Sequence, residues 1–195
     1  MIDINPQRIR GKWSIGHALD FHTISSTPIG ENAYGHMQFD TVRPPIAELL
    51  YQLKYHGDVT VVGEIAEVAT DFLKRQHCPI DLIVPTPPSA ARRVQPVVLL
   101  AESIGAVLKI PVAGCVTATR PSGQLKDITD PTQRAEALAG LYAVDLRRTK
   151  GKAILLFDDL YRSGSTLNAI TSLLLDGGSA AQVNVLTITR TRSNR

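Results

Sequence analysis

From residue 43 onward, apolar residues at helical spacing alternate with short, continuously apolar runs of strand length. The first helical pattern starts after Arg43-Pro44-Pro45 and is expected to end near Gly57. Strands that alternate with helices pair in parallel, because each crossover helix returns the chain to the same edge of the sheet. We therefore predict an α/β domain with a parallel β-sheet flanked by helices over residues 43–195. The predicted helices are Val62–Gln76, Ala91–Leu108 and Ser165–Leu175, and the predicted strands are Leu82–Pro85, Val112–Thr117, Lys152–Phe157 and Val183–Thr189.

The first 42 residues show a different pattern. Polar and apolar residues alternate, although irregularly, over Trp13–Ile24 and again over Ala33–Phe39, which is typical of strands. Gly30-Glu31-Asn32 lies between these stretches and has the composition of a turn. We predict that the two stretches pair as a small N-terminal β-hairpin, and that residues 1–42 form a segment separate from the α/β domain.

Composition and charge limit the classes of partner. The chain has 195 residues, of which 44% are hydrophobic and 20% charged, and this suits one folded domain with an appended segment. The net charge is only +3, from 21 basic and 18 acidic residues, so an anionic ligand is favoured and nucleic acid is not expected. We expect a cytoplasmic protein without a membrane partner, because neither a signal peptide nor an apolar run of about 20 residues is recognisable.

Residues 154–166, with the sequence ILLFDDLYRSGST, place two carboxylates where a buried strand is predicted to end. The loop after Asp158 and Asp159 consists of small hydroxyl-bearing residues around Gly164, and it leads into a predicted helix. Backbone N–H groups and hydroxyls at a helix N-terminus bind phosphate, and glycine allows the close approach. The loop lacks the lysine and the spacing of a nucleoside-triphosphate P-loop.

Two carboxylates beside a phosphate loop repel the phosphate unless another group lies between them. A ribose 5-phosphate meets this condition, because its hydroxyls donate to the acids while Mg²⁺ reduces the remaining repulsion. Two other interpretations explain the acids alone: a pair that caps the next helix, or a phospho-accepting Asp158 in a signalling domain. A signalling domain would need a lysine near the end of a later strand, and Arg190 follows the last predicted strand instead.

Two further polar segments follow predicted strands. Ligands of an open parallel sheet bind beyond the carboxyl ends of its strands, so these segments are expected beside the acids. Thr86-Pro87-Pro88-Ser89 follows Leu82–Pro85 and is, on its own, a rigid proline turn. Thr119–Asp127 is long, polar and glycine-containing, which is typical of a mobile lid as well as of an ordinary solvated loop.

The 13 residues from Ile154 to Thr166 resemble the phosphoribosyl pyrophosphate (PRPP) motif of the type I phosphoribosyltransferases. That motif consists of an apolar strand, two acids and a phosphate loop of small residues. Arg162 and Ser163 stand where the family often has two threonines. The resemblance covers roughly residues 43–190.

Within this family the chain resembles the ComF-like branch, which is similar to amidophosphoribosyltransferases. Three features carry that resemblance: the VPTP run that ends at Pro87, the Leu53-Lys54-Tyr55 run with Gly57, and the spacing of Arg120, Gln124 and Arg134. Arg92 matches the arginine that opens the branch's RGFNQ-type motif, but the four residues after it do not match. The cysteines of the zinc module common at the N-terminus of the branch are missing.

The resemblance implies a Rossmann-like type I phosphoribosyltransferase fold in which residues 1–42 form the acceptor-binding hood. It implies transfer of the 5-phosphoribosyl group of Mg²⁺-PRPP to a small-molecule acceptor in nucleotide metabolism, with release of pyrophosphate. The implied catalytic residues are Asp158, Asp159, Arg120 and Lys126, with Mg²⁺ at the two acids, through ribose hydroxyls or water. The implied substrate-binding residues are Thr86, Pro87, Pro88, Ser89, Arg92, Arg162, Ser163, Gly164, Ser165 and Thr166. The acceptor, the pathway and a homodimer stay open, and the alternative is a non-catalytic protein that keeps the PRPP site as a sensor.

Two groups of residues raise the question of a metal site. Cys78 and Cys115 are too few for a four-cysteine zinc site, and we predict that both are buried free thiols. Side chains alternate along a strand, so His17 is expected to face away from Asp20 and His22. That leaves two ligands on one face, one fewer than a typical catalytic zinc site. Asp20 and His22 are therefore interpreted as a structural pair or as contacts of the acceptor, and His22 is a candidate general base.

Overall fold

The computed structural model describes residues 2–88, 94–120, 130, 133 and 137–192. The strands in this part of the chain are β1 Gln7–Arg8, β2 Gly16–Phe21, β3 Ser25–Glu31, β4 Met37–Val42, β5 Leu82–Pro85, β6 Val116–Ala118, β7 Tyr142–Val144, β8 Ala153–Tyr161 and β9 Gln182–Arg190. The α-helices are α1 Pro45–Tyr51, α2 Val62–Gln76, α3 Pro96–Leu108, α4 Leu146–Thr149 and α5 Ser165–Ser172. Two π-helical turns, Gln52–His56 and Leu173–Gly177, extend α1 and α5, and a 3₁₀ turn, Val59–Val61, precedes α2.

A five-stranded sheet in the order β1-β2-β9-β8-β5 forms the centre of the fold. Three of its four strand pairs are parallel, namely β2–β9, β9–β8 and β8–β5, and the pair β1–β2 is antiparallel. One hydrophobic cluster lies between the sheet and α1, α2 and α3, and a second lies between the opposite face and α5. This arrangement confirms the predicted α/β fold with a parallel sheet flanked by helices.

Strand β8 illustrates why the central strands read as continuous apolar runs. Leu155 and Phe157 belong to the cluster beneath α1–α3, whereas Ile154 and Leu156 belong to the cluster beneath α5. Because helices cover both faces, the five residues Ala153 to Phe157 are all buried, and alternation is absent from this part of the strand. The carboxyl ends of the parallel strands meet at one edge, and this edge is called the site edge below.

The N-terminal segment differs from the predicted hairpin. The stretch Trp13–Ile24 contains β2, which pairs in parallel with β9 of the central sheet and not with Ala33–Phe39. The hairpin in the structure joins β3 to β4, with Ser25 opposite Val42, and its turn follows Glu31. Strands of the central sheet therefore lie on both sides of the boundary predicted at residue 42.

Some element boundaries match the prediction and others do not. Helix α2 and strand β5 have the predicted limits, and the first helical pattern ends at Gly57 in the left-handed conformation. Helix α3 begins at Pro96, and the predicted start at Ala91 lies outside the described residues. The predicted strand Val112–Thr117 is instead an isolated bridge at Val112 followed by β6. In the part of the chain that the structure describes, no helix is long and apolar enough to cross a membrane.

Candidate functional site

Strand β8 carries both acids to the site edge. The sequence predicts that the strand ends at Phe157, but β8 continues to Tyr161 because these residues keep their pairing with β9. The acids are therefore part of the strand, and successive side chains of a strand point to opposite faces. Asp158 and Asp159 consequently have separate surroundings.

Asp158 is held by two hydrogen-bond donors. The Thr86 hydroxyl and the backbone N–H of Asp159 both donate to its Oδ1, at 2.9 Å each. Desolvation of the carboxyl group, together with the charge of Asp159, raises the pKa of Asp158 to about 7, against the opposing effect of the two hydrogen bonds. Asp158 is thus partly protonated near neutral pH, and it can donate a hydrogen bond as well as accept one.

Asp159 forms an ion pair with a residue to which the sequence analysis gave no role in the site. Lys54 Nζ lies 2.7 Å from Asp159 Oδ2, and the two side chains are only 17% and 12% exposed. Lys54 belongs to the π-helical turn after α1, a type of turn that often occurs at functional sites. The sequence contains one indication that Lys54 belongs to the site, the resemblance of Leu53-Lys54-Tyr55 to a run of the ComF-like branch. Because one acid is partly protonated and the other is paired, the two carboxyl groups coexist without a ligand.

The loop after β8 has the backbone that a phosphate site needs. Gly164 has a φ of 76° and precedes the first residue of α5. A Cβ at this position would lie 2.8 Å from the Tyr161 ring, so the loop requires glycine for both conformation and space. The hydroxyls of Ser163 and Ser165 lie 2.9 Å apart at the start of α5, next to Arg162 and Thr166. The structure therefore brings the five predicted loop residues together at one helix N-terminus.

The N-terminal residues hold α5 against the sheet. The backbone N–H of Lys12 donates to Asn168 Oδ1 at 2.8 Å, and Lys12 Nζ donates to the Ser172 hydroxyl at 2.8 Å. The Trp13 ring packs edge-on against Tyr161, with the ring centroids 6.4 Å apart. Sequence reasoning could not find these contacts, because they join residues at opposite ends of the chain.

The loop after β5 reaches the same edge through Thr86. The Thr86 side chain is buried, its hydroxyl binds Asp158, and its backbone N–H donates to the Phe157 carbonyl at 2.9 Å. Pro87 and the exposed Pro88 follow directly. The remaining predicted residues of this loop, Ser89 and Arg92, lie outside the described residues.

Of the predicted lid, the structure describes only the first part. Arg120 is exposed, and its guanidinium donates to the carbonyl of Ala137 at 2.9 Å. Lys126 and the other two residues of the R…Q…R spacing, Gln124 and Arg134, lie outside the described residues.

The histidine and cysteine candidates have separate partners. His17 packs edge-on against Phe72 of α2, whereas Asp20 accepts the backbone N–H of Asn5 and His22 Nδ1 lies 3.1 Å from the Thr189 hydroxyl. Among the described residues, no group of three or more His, Cys, Asp or Glu side chains is placed to hold a metal ion.

The two thiols are free; Cys115 is buried as predicted, while Cys78 is partly exposed. Burial raises the pKa of both thiols.

The fold is similar to several solved structures. Glutamine PRPP amidotransferase from B. subtilis, complexed with ADP and GMP, matches with a TM-score of 0.52 at 15% identity, over 80% of this chain and 34% of that enzyme. Adenine phosphoribosyltransferase from Saccharomyces cerevisiae has a TM-score of 0.45 at 13% identity, over 85% of this chain and 82% of that one. A hypothetical protein from Neisseria gonorrhoeae with bound ppGpp has a TM-score of 0.44 at 12% identity, over 70% of this chain and 73% of that one.

The match to the B. subtilis enzyme establishes a fold class. The chain has the type I phosphoribosyltransferase fold, as the PRPP-like motif predicted, and it spans about a third of the length of the B. subtilis enzyme. The sequence itself matches no protein-family model and no curated protein. The ComF-like branch and the roles of individual residues stay predictions.

Proposed function

We propose that this protein is a phosphoribosyltransferase that binds Mg²⁺-PRPP and transfers its 5-phosphoribosyl group to a small-molecule acceptor, with release of pyrophosphate. The observation that carries the proposal is the convergence of three polar groups on the site edge: the acids of β8, the loop before α5 and Thr86 after β5. PRPP has three matching parts, a ribose between a 5-phosphate and a 1-pyrophosphate. In open parallel sheets this edge is the usual ligand site.

The loop between β8 and α5 receives the 5-phosphate in this proposal. Its donors are the hydroxyls of Ser163, Ser165 and Thr166 and the backbone N–H groups of the first turn of α5. The partial positive charge at a helix N-terminus favours the phosphate, and the missing side chain of Gly164 lets it approach the backbone.

The two acids bind the ribose hydroxyls in different ways. Asp159 keeps Oδ2 on Lys54 and accepts a hydroxyl through Oδ1. A hydrogen bond to an ionised group contributes about 1.5–3 kcal/mol. Asp158 keeps Oδ1 on Thr86 and the Asp159 N–H, so Oδ2 faces the second hydroxyl.

Mg²⁺ accompanies PRPP in this proposal and must fit the same residues. The ion usually keeps several waters and binds through one or two carboxylates together with substrate phosphates. Asp159 is paired with Lys54 and the pKa of Asp158 is about 7, so neither acid is a free, fully charged ligand. These residues fit an ion that the substrate carries and that they contact through ribose hydroxyls or water. Its chemical contribution is to neutralise charge on the departing pyrophosphate.

Catalysis consists of positioning and electrostatic stabilisation. Positive charge develops on the ribose ring as the bond to pyrophosphate breaks, and the neighbouring carboxylates stabilise it. On the leaving-group side we assign Thr86, Pro87, Pro88, Ser89 and Arg92 to pyrophosphate binding. Arg120 and Lys126 are assigned to the lid that covers it. Membership of the ComF-like branch and a role in nucleotide metabolism belong to the same proposal, and neither identifies the acceptor.

Calorimetry with PRPP and Mg²⁺ tests the binding part of the proposal. Asp158→Asn keeps the shape of the side chain but removes its charge, and we expect PRPP affinity to fall roughly tenfold to a hundredfold. Asp71→Asn, which changes an exposed acid on α2, is the matched control and should bind as the parent does. Equal affinity of the parent and Asp158→Asn would contradict the proposed site.

A pyrophosphate-release assay tests the catalytic part. The parent is offered PRPP with ammonia and with free nucleobases, and release above the rate without acceptor is the expected result. PRPP binding without release for any acceptor indicates the sensor and not the enzyme.

A further inference from the structure

The site edge has a side that the proposed PRPP contacts leave unused. Strand β5 and its loop lie on one side of β8, whereas β9 and β2 lie on the other. His22 follows β2 on this second side, where its backbone N–H donates to the carbonyl of Arg190 at 2.7 Å. An acceptor that displaces pyrophosphate approaches the ribose from the face opposite the leaving group. Because the proposed function assigns pyrophosphate to the loop after β5, the acceptor is assigned to the side of β9 and β2.

The hydrogen bonds of His22 define its tautomer. Its Nδ1 lies 3.1 Å from the hydroxyl oxygen of Thr189, and that oxygen lies 3.4 Å from the backbone carbonyl oxygen of Asp159. A carbonyl oxygen only accepts, and we assign the single hydrogen of the fully buried Thr189 hydroxyl to this contact, so that the hydroxyl accepts from His22. Nδ1 therefore carries the hydrogen, and Nε2 carries a lone pair.

The charges around His22 keep its ring neutral. Burial lowers the pKa of His22, and the nearby positive charges of Lys54, Arg43 and Arg162 lower it further, while Asp159 opposes them. On β9, the Arg190 side chain is directed to the Tyr161 ring, 5.7 Å from its centroid. At neutral pH a histidine in these surroundings is an unprotonated base.

We infer that His22 is the general base of this site and that its Nε2 accepts a proton from the acceptor. The inference rests on the proposed phosphoribosyl transfer. A bond forms between the acceptor nitrogen and the anomeric carbon as the bond from that carbon to pyrophosphate breaks, and pyrophosphate leaves with the electron pair. The N–H proton of the acceptor moves to His22 Nε2. The acceptor class is thus a nitrogen nucleophile that carries an N–H group.

The neighbouring acids are poorly suited to this role. Asp159 is engaged by Lys54, and Asp158 uses Oδ1 for Thr86 and the Asp159 N–H. Thr189 is a positioning residue, because its hydroxyl orients the His22 ring without reaching the acceptor.

Nitrogen-15 NMR of the unliganded protein tests the tautomer without any acceptor. The expected spectrum shows His22 neutral at pH 7 with the hydrogen on Nδ1, and Thr189→Val should remove that preference. A neutral His22 with the hydrogen on Nε2, or a ring that is charged at pH 7, would overturn the inference.

Kinetics test the base itself, with pyrophosphate release from Mg²⁺-PRPP measured in the presence of ammonia and of free nucleobases. His22→Ala should lower the rate by about 10²–10⁴-fold, abolish its rise through the His22 pKa and leave PRPP affinity unchanged. Added imidazole should restore part of the rate. His77→Asn, in the turn between α2 and β5, is the control and should behave as the parent does.

The outcomes separate this inference from the proposed function. Release by the parent with an unchanged rate in His22→Ala would overturn the base and leave the transferase intact. A rate loss that imidazole does not restore, accompanied by weaker PRPP binding, would show a structural role for His22. A parent that does not release pyrophosphate overturns both.

Discussion

Strand β2 and the β3–β4 hairpin are neighbours in the sequence but have opposite surroundings. β2 pairs with β1 and β9, and its residues Ala18 and Leu19 are completely buried. Every residue of β3 is exposed, and the hairpin carries exposed apolar side chains such as Ile29 and Phe39. The two strands also differ in sequence, GHALDF in β2 against SSTPIGE in β3, and only β2 pairs with a strand of the central sheet. A two-stranded hairpin without such partners is marginally stable.

The largest expected effect is the difference in stability between a variant without β1 and β2 and a variant without the β3–β4 hairpin. Removal of residues 1–24 takes away β1, β2 and the contacts of Lys12 and Trp13 with the remainder of the fold, so we expect no cooperative unfolding transition. Replacement of residues 26–41 by a Gly-Asn-Gly linker should change the free energy of unfolding by less than about 1 kcal/mol. The linker is feasible because Ser25 and Val42 are paired. Circular dichroism and a thermal melt measure the folding of both variants. A variant without residues 1–24 that still folds would show that β2 is dispensable.

This contrast also explains what the sequence could predict. Helix α2 and strand β5 were predicted with their observed limits, because local periodicity determines them. The pairing of Gly16 with Val185 joins distant parts of the chain and leaves no local signal. The turn lies at residues 32–36, so the predicted turn Gly30-Glu31-Asn32 is displaced: Gly30 and Glu31 are still paired residues of β3. The predicted partner was also wrong, because β4 pairs with β3 and not with the stretch before it.

The candidate site was predictable to a similar extent. The acids and the phosphate loop follow one another in the chain, so residues 158–166 could be identified from local order alone. Lys54 could not be identified from local order, because a lysine after a helix ordinarily lies in solvent. Its approach to Asp159 depends on the π-helical turn. His22 likewise acquires its partner only when β2 lies beside β9.

Asp158 should make the stability of the sheet depend on pH in a way that the hairpin does not. Burial raises its folded-state pKa to about 7, above the 3.8 of a solvent-exposed Asp, so its contribution favours folding below about pH 4 and is lost as the pH rises to 7. Asp158→Asn removes this loss and should be more stable than the parent at pH 8, by at most about 4 kcal/mol. The advantage should vanish near pH 4. Urea unfolding at several pH values measures it, with Asp40→Asn of the hairpin as a control; an advantage independent of pH would contradict the assignment.

The ion pair between Lys54 and Asp159 should matter more than an exposed pair of similar geometry. Lys54→Met leaves a carboxylate that is only 12% exposed without its partner, and we expect a loss of about 3 kcal/mol. Arg147→Met breaks the Arg147–Asp145 pair, where the arginine is 90% exposed, and should cost far less stability than Lys54→Met does.

A double-mutant cycle isolates the interaction. Lys54→Met with Asp159→Asn should recover part of the stability that either single change removes, because no unpaired charge is left. Purely additive losses would show that the two side chains do not interact in solution.

Two glycines allow the finest comparison between the site edge and the hairpin. Gly164 and Gly35 have φ values of 76° and 74°, so alanine meets the same backbone strain at both, roughly 1–2 kcal/mol. Nothing lies within 4 Å of a Cβ at Gly35, whereas a Cβ at Gly164 would lie 2.8 Å from the Tyr161 ring. Gly164→Ala should therefore cost about 1 kcal/mol more than Gly35→Ala in urea unfolding, and it alone should weaken PRPP binding. Replacing Tyr161 by Leu in the Gly164→Ala background should remove the extra cost. If the two alanine variants lose the same stability, the Tyr161 ring moves aside and the loop before α5 is held by its backbone alone.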